Sequence, residues 1–209
     1  MVPYTEFKLK LSDMNASGAL FDLVKLADIS KDVISKMTGE EVYEKTLAWA
    51  SKFDKELYDL LSQDREYAIK IFSIEKNGNK PRKDIAKWSD VMDQVSYFYD
   101  DKFDGKYDFS EKVSVDDRKN IIKLFLESYN YEDDKQTWFD KIKVICDNTG
   151  FASNNKDYKA NPENYKGNIS DVSNVIRVAL TGRQMSPDMY EIMQVMGKDA
   201  TIKRLTMSL

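Results

Sequence analysis

The sequence predicts an all-α fold, or one very close to it, and three observations predict it. Apolar residues recur at helical spacing through almost the whole chain. Capping residues and glycines punctuate those stretches where helices should begin and end. No two alternating runs offer themselves as a strand pair. The only candidate is residues 7–11 (Phe7, Leu9 and Leu11 alternating with lysines), which reads as an orphan edge strand without a partner.

The elements follow in order. Thr38-Gly39-Glu40-Glu41 is a capping box, in which the threonine side chain and Glu41 satisfy each other's free N–H groups. Behind it Val42, Trp49 and Phe53 recur at helical spacing. Leu57, Leu60, Leu61, Tyr67, Ile71 and Ile74 continue helical patterns to a turn at residues 76–81. Ser89 is placed to cap a further helix, whose Val91, Val95 and Phe98 share a face. Residues 101–110, with Gly105, break the pattern and read as a connection. Ser114 restarts it before Ile121, Ile122, Leu124 and Phe125; Trp138, Ile142 and Ile145 make the next stripe, which Gly150 ends.

Residues 151–167 are polar, contain Pro162, and are expected to form a long surface loop. Ser170 opens the next predicted helix, with Val172, Val175, Ile176, Ala179 and Leu180 on one face and Gly182 after its end. Ser186-Pro187 supplies an N-cap and a proline for the first helical position. That helix should run to Gly197, and a last one carries Ile202 and Leu205. The chain therefore divides into a short element at 1–37, a helix bundle at 38–105 and a helical domain at 106–209.

Composition excludes several chemistries. With no histidine there is no Ser-His-Asp or Cys-His triad and no histidine-based zinc site. Cys146 alone makes neither a disulfide nor a cysteine-rich metal site, and fits a reducing compartment. The eight glycines form no phosphate-cradling loop of the Walker or dinucleotide type. Charge is segregated along the chain. Residues 76–87 hold five basic residues against one acid, whereas residues 90–117 hold nine acids against three lysines. The net charge of −4 argues against a general nucleic-acid binder but leaves room for a local basic face.

Residues 17–26, 80–83 and 176–190, taken together, resemble the C-terminal, tRNA-binding part of bacterial-type glutamyl-tRNA synthetases. Ser17-Gly18-Ala19-Leu20-Phe21-Asp22-Leu23-Val24-Lys25-Leu26 is similar to a Phe-Asp-x-x-Lys-Leu segment that contacts the inside of the tRNA stem. Lys80-Pro81-Arg82-Lys83 resembles a basic segment at the foot of the family's bundle. The most specific match is Ile176-Arg177-Val178-Ala179-Leu180-Thr181-Gly182-Arg183-Gln184-Met185-Ser186-Pro187-Asp188-Met189-Tyr190, with Gly197-Lys198 and Arg204-Leu205 behind it, which resembles the anticodon-binding signature. The family's HIGH and KMSKS motifs have no counterpart, so the chain reads as a piece of a longer enzyme, inactive alone.

The resemblance implies a monomeric, cytoplasmic binder of tRNA-Glu, with tRNA-Gln as the second candidate partner. ATP and Mg²⁺ would serve only the absent catalytic domain. It also implies roles for particular residues. Arg177, otherwise a surface arginine with its stem on the core, would face the anticodon bases. Thr181, Gly182, Ser186 and Pro187, otherwise plain caps, would turn free N–H groups toward RNA. Met189 would support a base, and Arg82 would approach the first anticodon base. Two alternatives stand beside this reading: a stand-alone helical RNA-binding module, and a protein-interaction domain using the acidic run at 90–117.

Overall fold

A computed structural model describes residues 6, 8, 10, 12, 22–76, 78 and 81–209. Residues 7, 9 and 11 of the orphan strand proposed at 7–11, the first part of the Phe-Asp-x-x-Lys-Leu segment and Lys80 lie outside the described residues. Among the described residues the fold is entirely helical, with no sheet and a single isolated bridge between Ala152 and Asn168.

Helix α1 (Leu23–Ser35) is capped by Asp22, the aspartate of that segment, whose carboxylate accepts from the N–H groups of Val24 and Lys25. Helices α2 (Gly39–Phe53), α3 (Lys55–Ser62) and α4 (Arg65–Ser73) form the bundle. The capping box opens α2 as expected. The Glu41 N–H donates to Thr38 Oγ1 at 3.1 Å, and the Thr38 N–H donates to Glu41 Oε2 at 2.8 Å. The apolar run beyond α2 is cut twice by aspartate caps, Asp54 and Asp64, which accept from the N–H groups of Leu57 and Tyr67. Gly39 lets α2 lie against α4: a Cβ there would fall 2.9 Å from the Ile69 carbonyl oxygen. Val42 is fully buried, but Phe53 is 71% exposed and belongs to the surface of α2, not to its core stripe.

Short helix α5 (Val91–Val95) follows a single 3₁₀ turn at Trp88–Asp90, and no side chain caps it. Ser89 therefore sits inside the turn and is not the predicted cap. Helices α6 (Val115–Ser128) and α7 (Lys135–Thr149) begin on Ser114 and Asp134. The expected loop at 151–167 contains its own helix, α8 (Asn155–Ala160), and buries Phe151 and Ala152 at its start.

Helix α9 (Ile169–Thr181) is the central element of the second half, packing on α6, α7 and the last helix. Eight of its thirteen residues are buried, so it is apolar on most of its circumference, as a helix surrounded by others must be. Its cap is Asn168, in a box with Asp171, and not Ser170, which lies one residue inside. Helices α10 (Met189–Met196) and α11 (Lys198–Met207) close the chain on either side of Gly197. Buried apolar residues from Ile34 to Leu205 form one connected cluster, so the bundle and the C-terminal helices share a core. Cys146 lies in it, and burial pushes its thiol up to about 12.

Candidate nucleic-acid interface

The loop between α9 and α10 gathers most of the residues singled out from the sequence. Gly182 ends α9 in the left-handed region, φ 77°, and its N–H donates to the Val178 carbonyl. Its own carbonyl accepts from the Asp108 N–H at 3.0 Å. The connection at 103–108 thus runs against the end of α9, and a Cβ on Gly182 would sit 2.6 Å from the Lys106 carbonyl oxygen. Gly182→Ala combines that clash with a backbone conformation that costs ~1–2 kcal/mol for a residue with a Cβ. A loss of about 2 kcal/mol in urea unfolding is expected; an unchanged midpoint would mean the connection is not held here.

Thr181 is 2% exposed, and its hydroxyl lies 2.8 Å from the Arg177 carbonyl, which it can reach as donor. Thr181 and Gly182 are therefore structural. Both are covered by protein, and neither turns a free group toward RNA.

Helix α10 starts two residues later than Ser186-Pro187 suggests. Its cap is Asp188, whose carboxylate accepts from the Glu191 N–H at 3.0 Å. The Asp188 N–H is itself taken by Glu75 Oε2 at 3.0 Å, and the Glu75 N–H by Glu191 Oε2 at 2.9 Å. Two N–H groups of this helix start are thus held by side-chain carboxylates, and Asp188, Glu75 and Glu191 lie together around it. It is not the phosphate cradle that a free N-terminus would make. Glu75 supports the exchange from a positive φ of 55°. Met189, 6% exposed, packs into the core cluster.

What the structure does bring together is Arg82, Arg177 and Ser186. Arg82 Nη1 donates to the Ser186 carbonyl at 2.7 Å, and Arg177 Nη1 donates to the same oxygen at 2.9 Å. Arg177 Nη1 also reaches Ser186 Oγ at 2.6 Å and the Pro187 carbonyl at 3.0 Å. Two residues far apart in sequence thus converge on one peptide group. Arg82 is oriented by Asp84, which accepts from its Nε. Burial, and then the neighbouring Arg82, push the Arg177 guanidinium down from its ordinary value. The planar fork suits this work, because one nitrogen can hold several oxygens while the remaining N–H groups point elsewhere.

Periodicity did not mark the surface around this cluster. Met185 is 79% exposed at the loop tip. Asn174, one turn before Arg177 on α9, donates from Nδ2 to the Gln184 carbonyl at 3.2 Å. Arg183 pairs with Asp93 across the loop at 2.8 Å. The spacing of Asn174 and Arg177 on one helical face was the available signal for Asn174.

Comparison with known proteins bears on this surface. Residues 41–209 match the family described as "Anticodon binding domain". Among curated relatives, a glutamate–tRNA ligase of Clostridium perfringens is 44% identical over 206 residues, covering 97% of this chain and 38% of that protein. One from Acetivibrio thermocellus is 43% identical over 200 residues, covering 96% of this chain and 37% of the relative. One from Bacillus subtilis is 21% identical over 198 residues. The chain spans somewhat over a third of the length of these relatives and corresponds to their C-terminal part. The matched region takes in α2 to α11 and both arginines at Ser186, and the chain accordingly belongs to the anticodon-binding domain family found in glutamate–tRNA ligases.

Proposed function

We propose that this chain recognises the anticodon loop of tRNA-Glu on behalf of a glutamate–tRNA ligase, acting in the cytoplasm as a monomer. The convergence of Arg82 and Arg177 on the Ser186 peptide carries the reading. It sets two guanidinium groups beside an exposed loop, and arginine planes stack on and hydrogen-bond unstacked bases. ATP and Mg²⁺ belong to the rest of the ligase, and RNA binding by this chain requires no nucleotide cofactor.

The acidic run at 90–117, the basis of the protein-interaction alternative, is largely spent within the fold. Asp93 pairs with Arg183, Asp100 with Lys203 and Arg204, Asp104 with Lys106, and Asp117 with Lys166. A face already neutralised in this way has little left with which to hold a basic partner. It favours the RNA reading.

Binding to tRNA should depend on salt without being governed by it, because the protein is acidic overall. With about three to five phosphate contacts, log K should fall against log salt with a slope of roughly −2 to −5. A slope near zero, or no binding, would overturn the proposal.

A further inference from the structure

A groove runs between α7, the start of α8 and α9, with Arg177 in its lining. Phe139, Asn155, Ser170, Ser173, Asn174 and Arg177 line it. We propose that this groove holds one unstacked base of the RNA loop, with the Phe139 ring as its stacking platform; the inference rests on the anticodon reading above.

The contrast between neighbouring aromatic residues is the starting point. Trp138 is buried and packs edge-on against Phe125 and Tyr190. Phe139, next to it on α7, is 37% exposed and has no ring partner among the described residues. Lys143 Nζ lies over one side of the ring, 5.2 Å from its centroid, and is paired with Asp140 at 2.6 Å. An aromatic ring partly exposed in a polar groove matches a nucleobase, which offers a π face and a hydrogen-bonding edge. A hydrophobic peptide side chain would leave the groove's polar groups unpaired.

The edge of the base would meet α9. Asn174 uses Nδ2 on the Gln184 carbonyl, which leaves Oδ1 as an acceptor, and the Ser170 and Ser173 hydroxyls have no partner among the described residues. Arg177 commits only Nη1 to the loop among the described residues, so Nε and Nη2 remain as donors. It is then the wall between the Ser186 loop and the groove, holding one and facing the other. Lys156, beside Asn155, is exposed and without an ion pair among the described residues, and suits the phosphate of the same nucleotide.

The test uses the full 209-residue chain and a synthetic anticodon stem-loop RNA, intact or with a single abasic nucleotide at each loop position in turn. Phe139→Ala should bind the intact RNA about tenfold more weakly, in line with the loss of one base–aromatic stack. On the abasic RNA lacking the stacked base, wild type and variant should bind equally, as a double-mutant cycle requires. Phe139→Trp should bind the intact RNA at least as well as wild type and show the same position dependence. It also covers the case in which the alanine variant does not fold. Equal binding of the intact RNA by wild type and Phe139→Ala would overturn the groove assignment. So would a tenfold loss that persists on every abasic RNA, since the ring would then act through the fold alone. Failure of the wild-type chain to bind any of these RNAs would instead overturn the function proposed above.

Discussion

Arg204→Ala is expected to destabilise the chain by about 3–4 kcal/mol. Arg204 is 1% exposed, the largest fully buried side chain among the described residues, and it ties the C-terminal helix to the bundle. Nη1 donates to the Tyr97 carbonyl at 3.0 Å, Nη2 donates to Asp100 Oδ1 at 2.9 Å, and the guanidinium lies 3.7 Å from the Phe103 ring centroid. Alanine would leave the Tyr97 carbonyl unsatisfied, at ~1–3 kcal/mol, and open a cavity the length of the stem. Arg204→Met, which refills most of that volume, should recover about half the loss. A urea titration of the two variants beside wild type would check both figures.

The same latch has a pH signature. Hydrogen bonds from Lys203, and then from Arg204, hold the Asp100 carboxyl below the usual carboxylate range. A carboxylate with a lowered folded pKa contributes stability that is fully present above its unfolded value, about pH 4, and is lost as pH falls through the folded value. The difference between wild type and Arg204→Ala should therefore narrow in strong acid and stay constant from about pH 5 upward.

Arg177→Ala should weaken tRNA binding by roughly 5- to 150-fold, the range expected when a planar donor is lost from a base contact. It acts twice: the Ser186 and Pro187 oxygens lose their shared donor, and the groove loses its charged wall. Arg177→Lys keeps the charge but cannot span three oxygens and still face the groove, so it should recover only part of the affinity. Circular dichroism of both variants separates binding from folding. Lys135→Ala is a poor control here, because Lys135 pairs with the α10 cap, Asp188, at 2.9 Å. Lys45, exposed on α2 and unpaired among the described residues, is the better choice.

Local signals carried most of the fold, and they carried it where one residue type has one physical use. Thr38 with Glu41, Ser114, Gly150, Gly182 and Gly197 all mark the helix ends they suggested. Signals failed where several candidate caps stood close together. Ser186-Pro187 and Asp188 all favour a helix start, and the choice of Asp188 follows from Glu75 and Arg82, which approach from the other half of the chain. Asn168 displaced Ser170 because its partner Asp171 completes a capping box. Asp54 and Asp64 divide an apolar run whose period alone is continuous.

Of the candidate site, the sequence shows the residues and not their meeting. Arg177, Arg82, Ser186 and Pro187 do meet, yet spacing offers no reason for a bundle arginine to reach a loop beyond α9. Thr181, Gly182 and Met189 share the matched stretch but serve the core and the caps. Phe139 was invisible because an aromatic residue next to Trp138 on an apolar helix reads as more core.

One measurement bears most directly on the account: the dissociation constants of this chain for a tRNA-Glu transcript and for the same transcript with the middle anticodon base replaced, at one salt concentration. A preference of about tenfold or more for the cognate transcript is expected, as for a single misread base. Arg177→Ala should lose most of that preference, and Lys45→Ala should keep it. Equal binding of both transcripts by the wild-type chain would contradict the account, because the loop held by Arg82 and Arg177 would then be reading no base.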